Sequence, residues 1–256
     1  MAAADTADLS DAHTAQPSLK GRKAVITGGS TGIGRAIGVL LASEGVEIFT
    51  CGRDEQHLAD GLARMNAVGK ASGIALDLGK EGEVDRFFTE AKEALGDWDI
   101  AVINAAVAIG GVTDSEAAEA RYALALDFAA YVMSAHKAAG HLGNRGDIVM
   151  IGSVSAHSLG AGSSIYSGIK KGIQGFAEAL HKELGKEGIR VALVEPAKTG
   201  SDMQYPDIPA EEQRKLIGEG KMLRAEDIAV AVHFILTQPR RTVINQMVVS
   251  QRVYEE

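Results

Sequence analysis

From Lys23 onward, short β-branched runs alternate with longer stretches of helical character, and this alternation constrains the fold more than any other feature. The runs are KAVIT (23–27), VEIFT (46–50), SGIAL (72–76), DIAVI (99–103), DIVMI (147–151), RVALV (190–194) and VINQMVV (243–249). Most are apolar over four or five successive residues, as expected for strands covered on both faces. Helices are expected between them over 33–44, 54–67, 81–95, 115–140, 164–186 and 225–236. Such alternation predicts right-handed βαβ crossovers and an α/β fold: a doubly wound, seven-stranded parallel sheet with helices on both faces.

No internal repeat or linker interrupts the pattern, so residues 21–256 read as one domain. Residues 1–20 hold alanine and small polar residues, without the basic start and apolar core of a signal peptide, and read as a mobile tail. A net charge of −8 argues against nucleic-acid and anionic-membrane partners, which need a basic surface. No apolar run approaches the roughly 18 residues of a membrane-spanning helix. The single cysteine, Cys51, permits no internal disulfide and fits a reducing, cytoplasmic setting.

Two local motifs carry chemistry. The first strand runs directly into TGGSTGIG (27–34) and then a helix. A phosphate-binding turn needs glycine where backbone bends, admits a diphosphate and packs the helix start against the strand. Gly28, Gly32 and Gly34 occupy those places; the alternative is a glycine-rich turn with no ligand. The second motif is SSIYSGIKKG (163–172), in which Tyr166 and Lys170 share a helix face while Ile169, Ile173, Phe176, Leu180 and Leu184 form the inward stripe. A free phenol titrates near 10, and lowering that by about two units takes roughly 3 kcal/mol. An ammonium about 4 Å away supplies about 4 kcal/mol at an effective dielectric near 20, and burial opposes it. Lys171, His136 and His157 read as solvated or loop residues.

Thr-Gly-x-x-x-Gly-Ile-Gly at the first strand, with Tyr166 and Lys170, resembles the short-chain dehydrogenase/reductase family over essentially residues 21–250. Other family signals follow in order: Asp77-Leu78, a degenerate Asn-Asn-Ala-Gly at Ile103-Asn104-Ala105-Ala106, Ser153 thirteen residues before Tyr166, and Pro196. The resemblance implies a Rossmann-type fold and hydride transfer with a nicotinamide cofactor. It sets Ser30, Thr31 and Ile33 beside the loop glycines around the diphosphate. Asp77 would meet the adenine amino group, Leu78 its face, and Asn104 with Ala105 the ribose. Pro196, Thr199 and Ser201 would lie toward the carboxamide. Tyr166 would exchange a proton with the carbonyl or alcohol oxygen, Ser153 would hydrogen-bond that oxygen, and Lys170 would also hold the nicotinamide ribose. No metal is expected.

Gly52 stands where NAD-preferring relatives carry aspartate, and Arg53 follows, suited to a 2′-phosphate through charge-assisted bonds. NADP(H) is therefore the expected cofactor. The alternatives are a solvated Arg53 paired with Asp54 and an NAD-linked enzyme. Four positions depart from the family pattern. Asp127 replaces the asparagine that usually supplies a fourth catalytic residue through its backbone carbonyl. Ile103 and Ala106 alter the Asn-Asn-Ala-Gly element, and Ala197 follows Pro196 where glycine is usual. Each alanine adds a methyl near the expected cofactor path. Met150, in place of a frequent asparagine, reads as core.

The segment 198–222 is expected to form a substrate lid with a short helix, in which Met203, Tyr205 and Ile208 suggest an apolar wall. A small or medium, mainly apolar ketone, aldehyde or alcohol is the expected substrate. The small-residue stretches of 115–140 and 164–186 suit close helix packing, and the resemblance implies a homotetramer or dimer. A second kind of function stays open on the departures: a cofactor-binding regulator or interaction protein with weak catalysis.

Overall fold

A computed structural model describes residues 16–143, 145–204 and 207–253. Strands β1 (Lys23–Ile26), β2 (Glu47–Gly52), β3 (Lys70–Ala75), β4 (Ile100–Ile103), β5 (Asp147–Ile151) and β6 (Arg190–Pro196) form where the apolar runs lie. The sheet is completed by β9 (Gln246–Val249), and all its pairings are parallel in the order β3-β2-β1-β4-β5-β6-β9. Every residue of β4, β5 and β6 is buried, as strands covered on both faces must be.

Two apolar layers account for that covering. Helices α3 (Glu83–Leu95), α5 (Ala130–His141) and α6 (Ser164–Leu184) pack on one face through Phe87, Tyr131 and Ile173. On the other face, α1 (Gly32–Ser43), α2 (Glu55–Asn66) and α8 (Ala225–Leu236) contribute Ile37, Met65 and Val232. Leu19 is buried in this second layer, with Arg22 N–H donating to its carbonyl. The domain therefore begins before residue 21, and residues 1–15 of the expected tail lie outside the described residues. Among the described residues, no helix is long and apolar enough to cross a membrane.

The chain moves outward from β1 through β2 to β3, then returns to place β4 on the other side of β1. That reversal opens a crevice at the carboxyl ends of β1 and β4, the position where doubly wound sheets bind ligands. Two segments differ from expectation, and a third, 198–222, contains the short helix expected of it. The helix expected over 115–140 is α4 (Ala117–Ala123), a π-helical turn (Leu124–Ala129) and α5. The neighbours Leu126 and Asp127 are both buried in the π turn, whose i→i+5 bonding accommodates an extra residue. The strand expected over 243–249 pairs only from Gln246, and Asn245 O, just before it, accepts from Leu193 N–H of β6 at 3.0 Å. The segment 198–222 contains α7 (Ala210–Gly218), and its ends are joined by a short parallel pair, β7 (Thr199–Gly200) with β8 (Leu223–Arg224).

At the opposite end of the sheet, Asp147 is buried under three guanidinium groups: Arg190 Nε at 2.6 Å, Arg22 Nη2 at 2.6 Å and Arg240 Nη1 at 3.0 Å. The carboxylate ties the start of β5 to β6 and to the loop before β9. Removing one member of such a pairing strands the remaining charges. We expect Asp147→Ala to lower the unfolding free energy by about 3–5 kcal/mol in urea denaturation; a loss below about 1 kcal/mol would contradict this account.

Candidate functional site

The crevice is a cleft of about 460 Å³, within the usual range of small-molecule sites. Its floor is the turn from β1 into α1. Gly28 (φ 70°) and Gly32 (φ 52°) adopt backbone that side chains disfavour. A Cβ on Gly34 would lie 2.2 Å from Gly28 O and 2.5 Å from Asn104 Nδ2. The glycines thus permit both the turn and the close seating of α1. Thr31 is the extended residue before α1, and its side chain makes no cap hydrogen bond, so first-turn amides face outward for an anion.

Among the residues expected at the cofactor, Gly28, Ser30, Thr31, Gly32, Ile33, Arg53, Leu78, Asn104 and Ala105 line this cleft together. Asp77 lies just behind, its Oδ1 accepting from Gly79 N–H at 3.1 Å and from Tyr122 Oη at 2.8 Å. Asn104 acts as a strut, its Nδ2 donating to Thr27 O (3.1 Å) and Gly28 O (3.0 Å). Pro196 is buried at the end of β6, and Thr199 Oγ1 donates to Ala197 O at 2.9 Å. Ser201 and Met203 reach the cleft wall from the start of the 198–222 segment; Tyr205 lies outside the described residues.

At the ribose edge, a Cβ on Gly52 would stand 2.5 Å from both Cβ and Oγ of Ser30. The space where an acidic side chain would begin is filled. Arg53 is exposed on the rim and, among the described residues, makes no ion pair with Asp54. Its Nη1 donates to Tyr122 Oη at 3.0 Å, and its guanidinium lies 5.7 Å from the Tyr122 ring centre. Asp54 instead caps α2, accepting from His57 N–H at 2.8 Å. Cys51 also lines the cleft, but burial pushes its thiol up to about 12, so it stays protonated.

Of the four residues expected to be catalytic, Tyr166 and Asp127 lie close enough to Lys170 to interact with it, and Ser153 stands on the loop after β5. Lys170 is buried, and its Nζ lies 5.5 Å from the Tyr166 ring centre and 5.4 Å from that of Tyr131. Among the described residues its Nζ makes a long hydrogen bond, 3.5 Å to Ile151 O, a carbonyl that also accepts from Tyr131 Oη at 3.0 Å. An ammonium carries three donors, so this one is under-satisfied among the described residues. Ser153 is buried, and its Oγ accepts from Ser155 N–H at 3.1 Å, leaving its own proton to donate.

Asp127 is fully buried in the π turn. Its Oδ1 accepts from Val107 N–H at 2.8 Å, holding the loop after β4, while Oδ2 has no partner among the described residues. Burial raises this carboxyl from 3.8 to about 6, against the pull of the Lys170 ammonium and the Val107 bond.

Sequence reasoning missed Tyr122, Val107 and Leu126, because nothing local marks a half-buried helix residue or an apolar loop as part of a cleft. His157 differs from a free loop residue: its Nε2 lies 2.9 Å from Oε2 of fully buried Glu195, directly behind the Ser153 loop. His136 and Lys171 are exposed as expected, and Met150 is core. Of the two alanine departures, Ala106 lines the cleft, whereas Ala197 packs into the apolar layer beneath α8.

Because the native state holds the Asp127 proton more tightly than an unfolded chain does, this contribution to stability is present below about pH 4. It is lost as pH rises through 6. Asp127→Asn has no such loss. Relative to wild type, the variant should gain on the order of 2–3 kcal/mol between pH 4 and pH 8 in chemical denaturation. A pH-independent difference would remove the buried-carboxyl account.

The family described as short chain dehydrogenase matches residues 22–212. The chain is 31% identical over 219 residues to carbonyl reductase family member 4 of Xenopus laevis, covering 84% of this chain and 90% of that one. Among solved structures, a short chain dehydrogenase from Burkholderia cenocepacia in complex with NADP superposes with a TM-score of 0.82 at 28% identity, covering 91% of this chain and 98% of that one. A dehydrogenase/reductase from Sinorhizobium meliloti gives 0.81 at 30% identity, with 91% and 96% covered. Family match, sheet order and glycine turn agree, and the chain belongs to the short-chain dehydrogenase/reductase family of oxidoreductases.

Proposed function

We propose that this chain is an NADP(H)-dependent oxidoreductase that interconverts a small or medium, mainly apolar ketone or aldehyde with its alcohol, using Tyr166 as acid and base. The observation that carries this reading is the buried Lys170 ammonium 5.5 Å from the Tyr166 ring, and Ser153, on the loop after β5, keeps a hydroxyl proton to donate. NADPH, when bound, supplies the hydride.

The chain's own residues do the rest. Tyr166 gives its proton to the carbonyl oxygen as the carbon is reduced and takes it back in the reverse direction. Ser153 donates a hydrogen bond to the same oxygen, offsetting the negative charge that develops there. The unused donors of Lys170 serve the nicotinamide ribose. Asp127 holds Val107 and, through the π turn, the loop that walls the cleft. Preference for the 2′-phosphate is supported by Arg53 on the rim and by Ser30 filling the space beside Gly52. The NADP complex of the Burkholderia relative agrees with it. Met203 on the cleft wall supports an apolar substrate, and the exposed Leu124 and Met133 of the α4–α5 region support a homo-oligomer.

Asp127 favours a second reading, a cofactor-binding regulator with weak catalysis, because an ionised carboxylate in the field of Lys170 offsets part of its charge. NADPH absorbance across a panel of ketones and aldehydes separates the two. Tyr166→Phe should lose at least 100-fold in kcat/KM, the scale of one general acid (about 10²–10⁴), while NADPH binding stays within about threefold. Nucleotide binding without turnover in the wild type would favour the regulator.

A further inference from the structure

Tyr122 is the half-buried residue at the centre of a polar chain that crosses the adenine end of the cleft. Its phenol donates to Asp77 Oδ1 at 2.8 Å and accepts from Arg53 Nη1 at 3.0 Å. A phenol has one proton, so this assignment of donor and acceptor is the one that satisfies a carboxylate on one side and a guanidinium on the other. Burial and the Asp77 carboxylate both keep the phenol protonated, fixing that direction. The guanidinium also lies over the ring, 5.7 Å from its centre. Both side-chain hydrogen bonds described for Asp77 end on Oδ1.

The ring is seated by a specific fit. A Cβ on Gly79 would lie 2.7 Å from Tyr122 Cε2, so any side chain at position 79 would displace the ring. Glycine on the loop after β3, tyrosine on α4 and arginine after β2 thus act as one unit. An exposed arginine normally samples many rotamers, and a ligand must pay the ordering cost. Here the cost is met in advance, with one guanidinium N–H spent on Tyr122 and the other four left over.

We propose that Tyr122 is a specificity-determining residue: it positions the Arg53 guanidinium for a 2′-phosphate and thereby sets the discrimination between NADP(H) and NAD(H). This rests on the NADP(H) reading above. Its test uses the full chain and two fragments that need no turnover, adenosine 2′,5′-bisphosphate and adenosine 5′-monophosphate, titrated by calorimetry. The wild type should bind the bisphosphate more tightly, and Arg53→Ala should abolish the difference. Tyr122→Phe keeps the ring but breaks the chain, and should weaken the bisphosphate by roughly 3- to 10-fold while the monophosphate changes by less than about twofold. Gly79→Ala, which displaces the ring while removing none of the three polar groups, should lower the ratio in the same direction. If Arg53→Ala removes the discrimination and both other variants retain it, the NADP(H) reading stands and the role of Tyr122 falls. A wild type that binds the two fragments equally overturns both.

Discussion

Four hydrogen bonds between the end of β1 and the end of β4 hold the site open. Thr27 Oγ1 accepts from the amides of Asn104 (2.8 Å) and Ala105 (3.1 Å), and Asn104 Nδ2 returns two bonds to Thr27 O and Gly28 O. They bridge the two strands that diverge at the topological switch point, where the backbone ladder has ended. Their short reach is possible because Gly28 has no side chain: a Cβ there would lie 2.8 Å from Ala105 Cα. The cleft floor, the seating of α1 and the position of the loop after β4 all follow from this clasp. Asn104 is thus a structural residue whatever the cleft binds.

The strands were legible because burial on both faces writes itself as uninterrupted apolar runs, as in IAVI of β4 and DIVMI of β5. The glycine turn was legible because positive φ at Gly28 and Gly32 leaves little choice of residue. The π turn was not, since inserting one residue into an alanine-rich helix changes no composition. Nor was Leu19, a lone apolar residue among polar ones, visible as core. At the site, Tyr166 and Lys170 are linked by helical spacing and could be paired from sequence. The Arg53–Tyr122–Asp77 chain joins three segments whose contact depends on tertiary placement, and no local period reports it.

Two buried carboxylates, Asp127 and Glu195, serve the loops around the candidate catalytic residues. Asp127 holds the loop after β4 and lies in the field of Lys170, so its charge state and the shape of the cleft wall are linked through Val107. Glu195, fully buried in β6, takes His157 Nε2 at 2.9 Å and Gln246 Nε2 at 2.6 Å, joining the Ser153 loop to the last strand. Both departures from a neutral polar interior sit where backbone loops leave the sheet, and in each case the carboxylate does what a ladder hydrogen bond would do further inside the sheet.

The contact between Ser30 and the empty side of Gly52 makes two positions in different loops exchange partners rather than vary independently. An acidic residue at 52 needs room that Ser30 occupies, and removing Ser30 alone gains no acidic group. A chain drifting from this sequence toward a carboxylate at the tip of β2 therefore meets a step at which either single change is unrewarded. Under the NADP(H) reading proposed above, the packing of Ser30 against Gly52 and the charge of Arg53 act in the same direction at this edge.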